Sequence, residues 1–103
     1  MAKLTLKAAP TFKAKVGIPV PGGAPVPVEF TFKHRTKSDL DKFMGSRAGV
    51  SDLDSIMDMI EGWSLDEPFD RDGVEILLEN YAGAALALYV AYVDELLQAK
   101  RKN

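Results

Sequence analysis

The stretch Glu61–Ala85 reads EGWSLDEPFDRDGVEILLENYAGAA and decides how the rest of the chain is arranged. Gly62 is typical of the residue that ends a helix, because glycine adopts the left-handed conformation at low cost. Pro68 excludes a regular helix through the segment between Gly62 and Asp70. Asp70 is typical of a helix N-cap, since its carboxylate can accept a hydrogen bond from the first turn. Residues 61–70, called the connector below, are therefore predicted to join two helices.

The connector is unusually apolar for a segment without regular structure. It holds Trp63, the only tryptophan, together with Leu65 and Phe69. Large apolar side chains in a loop lose the favourable free energy of burial unless they pack against something. We therefore expect the connector to lie on the hydrophobic core and to tie the preceding and following helices together.

Length and composition indicate an ordinary globular protein. The chain has 103 residues, of which 47% are hydrophobic and 27% charged, and we expect one domain over residues 1–103 with residues 1–10 loosely attached. The absence of cysteine excludes disulfides and thiolate zinc sites. No apolar run reaches the roughly 18 residues of a membrane span, and the N-terminus lacks the apolar segment of a signal peptide. These features predict no membrane partner and a cytoplasmic location.

Charge is distributed unevenly along the chain. Residues 1–47 contain nine Lys or Arg and three acids, whereas residues 48–99 contain one Arg and twelve acids. A basic triplet, Lys100–Lys102, follows. The two halves can fold onto each other and compensate, copies can associate head to tail, or the acidic half can meet a basic partner.

Two segments near the N-terminus alternate apolar and polar residues, as half-buried strands do. Thr11–Ile18 and Val28–His34 are the predicted strands. The apolar faces comprise Phe12, Ala14, Val16, Ile18, Val28, Phe30 and Phe32. Together the two segments predict a β-hairpin.

The connection between these strands, Pro19–Pro27, holds four prolines and two glycines, which exclude helix and central strand. It is longer than a hairpin needs. Val20, Pro21 and Gly22 are thus candidates for a binding arm. The alternative is a rigid surface loop.

Three helix starts follow from residues that commonly cap N-termini. They are Thr36, Ser51 and Asp70. The second helix carries an apolar stripe at helical spacing and is predicted to end at Gly62. The apolar stripes of the three helices comprise Leu40, Phe43 and Met44, then Leu53, Ile56, Met57 and Ile60, then Val74, Leu77, Leu78 and Tyr81.

The last helix, predicted from about Ala84 to Lys100, has no charged residue between Ala84 and Val93. A helix that is apolar all round is buried or covered by a partner. We expect one face to fill the core and Tyr89, Tyr92 and Leu96 to contact a partner subunit or client. The core face would be Leu86, Val90, Val93 and Leu97. A homo-oligomer, either a dimer or a head-to-tail ring, is compatible with this pattern.

No residue pattern indicates catalysis or a bound cofactor. The single histidine, His34, lies between Lys33 and Arg35 without an adjacent carboxylate. Asp54, Asp58 and Glu61 have helical spacing, but acids on the solvated face of a helix are far commoner than magnesium ligands. We therefore predict no enzyme activity, no cofactor and no metal.

The composition also argues against a nucleic-acid partner. Aromatic and basic residues occur together over Phe30–Lys37, but the two phenylalanines are needed for the core. A sequence pI near 5.3 is not that of a nucleic-acid-binding domain.

Several segments, taken in order, resemble the tail assembly chaperones of bacteriophages and prophages. The segments are Ile18–Gly23, Phe30–Thr36, Ile60–Trp63, Asp66–Phe69, Tyr81–Ala85, Tyr92–Leu97 and Ala99–Asn103. One departure is Ala82, because the resemblance leads us to expect proline at this position, in a Tyr-Pro-Gly-Ala turn. The resemblance covers Phe12–Asn103 and brings no catalytic residues.

The resemblance implies a non-enzymatic chaperone that binds the tape measure protein, keeps it soluble and helps to recruit tail tube protein. It implies action in the cytoplasm of the bacterial host and absence from the mature virion. The alternative is a minor tail component of the virion. The fold expected is α+β, an N-terminal β-hairpin with a long Pro/Gly-rich loop packed on about four helices.

Overall fold

The computed structural model describes residues 4–98 and shows a three-stranded antiparallel sheet packed against four helices. The predicted α+β fold is confirmed. The basic triplet Lys100–Lys102 and the predicted end of the last helix lie outside the described residues, as do residues 1–3 of the N-terminal segment. The elements are β1 (Thr11–Ile18), β2 (Val26–Lys33), α1 (Lys37–Ser46), a 3-10 turn (Arg47–Gly49), α2 (Asp52–Met59), β3 (Ile60–Trp63), α3 (Arg71–Asn80) and α4 (Ala84–Leu97).

The predicted hairpin is present, with β1 and β2 paired from Thr11 opposite Lys33 to Ile18 opposite Val26. Alternate residues of both strands face the helices, as their apolar periodicity indicated. Lys13 and Lys15 are exposed on the other face. The hairpin therefore supplies one wall of the core and leaves its second face open to solvent.

The loop between β1 and β2 contains an ordered turn. The amide of Gly23 donates a 3.0 Å hydrogen bond to the carbonyl oxygen of Val20. Gly22 has φ of +78°, as the third residue of a type II turn requires, and Pro21 stands at the second position, where proline is common. Gly22 is needed here because this conformation is strained for other residues.

A third strand replaces the predicted helix terminus at Gly62. α2 already ends at Met59, and Ile60 is extended, with φ −123° and ψ 144°. β3 pairs antiparallel with β2, placing Trp63 opposite Phe30 and Gly62 opposite Thr31. The prediction was wrong because the unpaired edge of β2 offers hydrogen bonds and a core position for Ile60, which outweigh continued helix.

All three predicted N-caps are present. The hydroxyl of Thr36 accepts from the amide of Asp39, that of Ser51 from Asp54, and the carboxylate of Asp70 from Gly73. These bonds fix where α1, α2 and α3 begin. The positions of α2 and α3 in turn fix the two ends of the connector.

The core lies between the sheet and the helices. Its buried apolar side chains are Val16, Ile18, Val28, Phe30, Phe32, Leu40, Phe43, Ile56, Met59, Ile60, Val74, Ala84, Leu88 and Tyr92. Most of the predicted hairpin face is among them. Met44 is exposed, contrary to its place on the predicted stripe of α1, and Met59 rather than Met57 is the fully buried methionine of α2.

Candidate functional site

An open groove of about 590 Å³ lies where the loop end of the hairpin, the connector and α3 meet. Its floor is formed by buried residues of the hairpin, among them Ile18 and Phe30. Exposed apolar side chains stand at its edges, above all Ile76 of α3, which is 63% exposed, and Val26 of β2. Exposed aliphatic side chains around a concave apolar floor are typical of a surface that binds another molecule.

The hairpin wall of the groove includes Val20. The type II turn holds this residue, and the preceding Pro19 packs against Gly83 at the start of α4. A Cβ atom on Gly83 would lie 3.1 Å from Cγ of Pro19. The close approach of Pro19 and Gly83 therefore anchors the loop beside α4 and fixes the position of Val20.

The connector forms the second wall through Trp63 and Leu65. The indole of Trp63 packs edge-on against Phe69, with ring centroids 5.1 Å apart, and against Phe30 at 6.4 Å. Its N–H donates a 2.8 Å hydrogen bond to the carbonyl oxygen of Glu67. The expected packing of the connector onto the core is confirmed for these rings, and Trp63 also presents part of its surface to the groove.

Gly73 allows the connector to lie close to α3. A Cβ atom at this position would come within 2.8 Å of the carbonyl oxygen of Pro68 and 3.3 Å of the Trp63 ring. Such a contact requires movement of the backbone. Gly73, Pro68 and Trp63 all line the groove, so the absence of a side chain at Gly73 sets the width of the groove at this point.

The rim of the groove is acidic. Three carboxylates line it, those of Glu67, Asp70 and Asp72, and no Lys or Arg does so within residues 4–98. The nearby Arg71 is bound to Asp54 of α2 at 2.7 Å. This guanidinium lowers the pKa of the Asp54 carboxyl, through a hydrogen bond and its charge. The groove thus combines an apolar floor with a negative rim.

The orientation of α4 differs from the prediction. Its inward face is Ala84, Leu88 and Tyr92, which are buried. Leu86, Val90 and Leu97, expected in the core, are 66%, 46% and 54% exposed. Tyr92 is 0% exposed, so its predicted contact with a partner is incompatible with its place inside this chain.

Tyr92 faces inward because its hydroxyl finds hydrogen-bond partners within the chain. Its hydroxyl donates to the carbonyl oxygen of Lys33 at 2.7 Å and accepts from the Arg35 guanidinium at 2.8 Å. Its ring stacks against Phe32, with centroids 5.5 Å apart, and meets Phe43 edge-on. An aromatic ring with a satisfied hydroxyl buries more apolar surface than a valine or leucine. The orientation of α4 with Tyr92 facing the core is therefore favoured.

The other predicted site residues lie in two places. Val20 lines the groove, and Pro21 and Gly22 are exposed next to it. Tyr89 and Leu96 are half-buried on α4 and do not line the groove. The guanidinium of Arg47 covers the Tyr89 ring at 3.5 Å from its centroid. Protein binding by Val20, Pro21, Gly22, Tyr89 and Leu96 stays a prediction.

Sequence reasoning missed Ile76 and the groove as a whole. Ile76 lies on the outer side of the α3 stripe and looks like an isolated exposed residue. The exposure of Ile76 indicates a groove only when the loop and the connector are known to face it. Trp63, Leu65 and the proline loop were singled out separately, and their proximity follows from β3, which the sequence did not reveal.

A second, shallower pocket of about 510 Å³ lies around the end of β2 and α1. Lys33, His34, Arg35 and Lys42 line it together with two acids. Arg35 is engaged by Asp58 at 2.7 Å, so the positive charge of this pocket is partly neutralised. His34 is exposed here.

The acids considered as metal ligands do not converge. Asp54 is bound to Arg71, Asp58 to Arg35, and Glu61 belongs to β3 rather than to the helix. Within residues 4–98 there is no group of three or more His, Asp or Glu able to hold a metal ion.

No single helix in the described part of the chain is long and apolar enough to cross a membrane. Only α3 and α4 taken together reach that length and composition, and they are bent by 111° relative to each other.

Comparison with known proteins gives one match. Residues 1–103 match the profile of a family described as phage tail assembly chaperone. No curated protein and no solved structure shows significant similarity to the chain. The profile covers the whole sequence and agrees with the resemblance found in its segments. The chain therefore belongs to the phage tail assembly chaperone family.

Proposed function

We propose that this protein binds an amphipathic helix of the tape measure protein in the groove and keeps that client soluble while the tail tube assembles around it. The observation that carries the proposal is the apolar groove itself, with Val26 and Ile76 exposed at its edges. Helix-in-groove recognition needs an apolar concavity that takes side chains spaced three and four residues apart. The family supplies the biological setting.

The lining of the groove supports a role in binding, since its described residues include no pair of side chains placed for catalysis. Besides the indole of Trp63, the polar side chains that residues 4–98 contribute to its lining are the three rim carboxylates, Asn80 and the phenol of Tyr81, with no histidine, serine or lysine among them. The proposal therefore concerns binding and not catalysis. Action in the host cytoplasm, absence from the finished virion and recruitment of tail tube protein belong to the same proposal.

Co-expression with the tape measure protein of the same phage tests the proposal. We expect the chaperone to raise the soluble yield of the client several-fold. Ile76→Asp should abolish this effect, because a charge at the groove edge would lose its hydration when the client binds. Leu86→Asp is the matched control, since Leu86 is equally exposed on a helix, at 66% against 63% for Ile76, and lies outside the groove.

Retention of the effect in Ile76→Asp and its loss in Leu86→Asp would contradict the groove and point to α4. The alternative of a minor tail component is tested by mass spectrometry of purified virions. Full-length protein at fixed stoichiometry in mature tails would overturn the chaperone proposal. The homo-oligomer that the sequence allows stays a prediction, to be checked by light scattering at micromolar concentration.

A further inference from the structure

We infer that the groove selects basic amphipathic helices, in which Lys or Arg flank the apolar stripe, over neutral or acidic helices of the same apolar content. This inference rests on the proposed function and specifies the chemistry of the client segment. It depends on how charge is arranged around the groove and not on the apolar floor alone.

The charged side chains of residues 4–98 that line the groove are all acidic. Glu67 stands on the connector, and Asp70 and Asp72 stand at the start of α3. The connector that carries Glu67 also contributes the apolar side chains of Trp63 and Leu65 to the lining. A helix that places its apolar stripe on this surface brings its flanking residues next to the carboxylates.

No Lys or Arg of residues 48–98 pairs with the rim carboxylates. Arg71 is the only Lys or Arg between residues 48 and 98. Its guanidinium is bound to Asp54 of α2 at 2.7 Å. Asp70 also accepts a 2.7 Å hydrogen bond from the amide of Gly73, but this neutral donor leaves its charge in place. In the described part of the chain, no Lys or Arg from either half lines the groove or forms an ion pair with these three carboxylates, so the rim presents net negative charge to the occupant.

An acidic helix in the groove would meet like charge at close range, whereas a basic helix would meet complementary charge. Complementary rim charges contribute more to specificity and association rate than to affinity, and they are screened by salt. We therefore expect preference among helices of equal apolar content, with an effect that depends on ionic strength. The apolar floor sets whether a helix binds, and the rim sets which helix binds best.

The test uses the full chain and three synthetic 18-residue peptides with the same leucine stripe. Their flanking residues are Lys, Gln or Glu. Trp63 lines the groove and is the only tryptophan, so its fluorescence reports occupancy directly when the peptides carry none. At low salt we expect the Lys peptide to bind roughly tenfold more tightly than the Gln peptide, and the Glu peptide more weakly than either. The preference should fall toward unity at 1 M salt, where the Debye length is about 3 Å.

The double variant Glu67→Gln with Asp72→Asn removes two of the three rim charges, so it should lose most of the preference for Lys and keep its affinity for the Gln peptide. The indole bond of Trp63 is made to the backbone of Glu67, so the variant leaves it intact. The matched control is Glu75→Gln with Glu79→Gln, which removes the same charge from α3 outside the groove lining. The control should keep most of the preference.

Each outcome bears on a different claim. Equal binding of all three peptides overturns the charge selectivity and leaves the proposed function standing. Binding of none overturns the groove as a helix site. A different outcome is salt-sensitive self-association of the full chain that quenches the fluorescence of Trp63. If the triple variant Lys100→Gln, Arg101→Gln and Lys102→Gln abolishes this self-association, the rim binds the basic end of a second copy and the inference is overturned.

Discussion

The hydroxyl of Tyr92 donates a 2.7 Å hydrogen bond to the carbonyl oxygen of Lys33 and joins the last helix to the end of the second strand. The same oxygen accepts from Arg35, which is held in turn by Asp58. This network connects α4, β2 and α2 across the core. It explains why the most apolar helix of the chain turns an aromatic residue inward and leaves Leu86 and Val90 outside.

Replacing Tyr92 by phenylalanine should destabilise the fold. The change keeps the ring but leaves the carbonyl of Lys33 without this donor and removes one acceptor from Arg35, at a cost of about 1–3 kcal/mol. Urea denaturation followed by circular dichroism measures the loss. Tyr89→Phe is the matched control, because the Tyr89 hydroxyl makes no hydrogen bond within the described residues, and it should change stability little. Equal effects in the two variants would contradict the role of the network.

Alkaline pH should erode the contribution of Tyr92. Burial raises the pKa of its phenol, and the hydrogen bond and charge of Arg35 only partly oppose this effect. A raised pKa means that the neutral form is favoured by folding, so the contribution is complete below the unfolded pKa near 10 and is lost as pH rises through the folded value. The difference in free energy of unfolding between wild type and Tyr92→Phe should therefore shrink above about pH 10. A constant or growing difference there would show that Tyr92 does not titrate as described.

Much of the fold follows from local signals in the sequence. Thr36, Ser51 and Asp70 cap helices as predicted, and the alternation of Phe30 and Phe32 marks a buried strand, because caps and periodicity depend on near neighbours. β3 was missed because four residues in an apolar stretch fit a helix as well as a strand. Pairing with β2 decides between them, and that partner is distant in sequence.

The groove could be predicted only in fragments. Val20 was identified from the proline content of its loop, and the connector from the large apolar residues in a segment without regular structure. Their proximity depends on the contact of Pro19 with Gly83 and on β3, which no local pattern indicates. The face of α4 was predicted wrongly because an almost charge-free helix has no polar side from which to orient it. The hydrogen bonds of Tyr92 supply that orientation in the structure.

A carboxylate at Tyr92 should unfold the protein and not report on client binding. The side chain is fully buried beside the backbone carbonyl of Lys33, and burial of an unpaired charge costs several kcal/mol. Arg35 is close but already engaged by Asp58. Tyr92→Asp should therefore express poorly or lose its cooperative transition, whereas Leu86→Asp should fold normally. A folded, soluble Tyr92→Asp protein with native circular dichroism would contradict this expectation.

Alanine in place of glycine should have opposite effects in two helices. Gly45 lies in α1, and nothing is within 4 Å of a Cβ atom placed there. Gly45→Ala should stabilise the protein by about 0.5–1 kcal/mol, because alanine loses less backbone entropy in a helix. Gly73 lies in α3, where the same atom would be 2.8 Å from the carbonyl oxygen of Pro68. The connector must move, and Gly73→Ala should cost about 1–3 kcal/mol in spite of the better helix propensity.

The glycine pair also distinguishes stability from the shape of the groove. Movement of the connector displaces Trp63, whose ring lies 3.3 Å from the same Cβ position at Gly73. Gly73→Ala should therefore shift the tryptophan emission and weaken binding of the Lys-flanked peptide even at temperatures where the variant is fully folded. Gly45→Ala should leave both unchanged while raising the melting temperature. If Gly73→Ala keeps native emission and peptide affinity, the close packing of α3 on the connector does not set the groove, and its width must come from the hairpin wall at Val20.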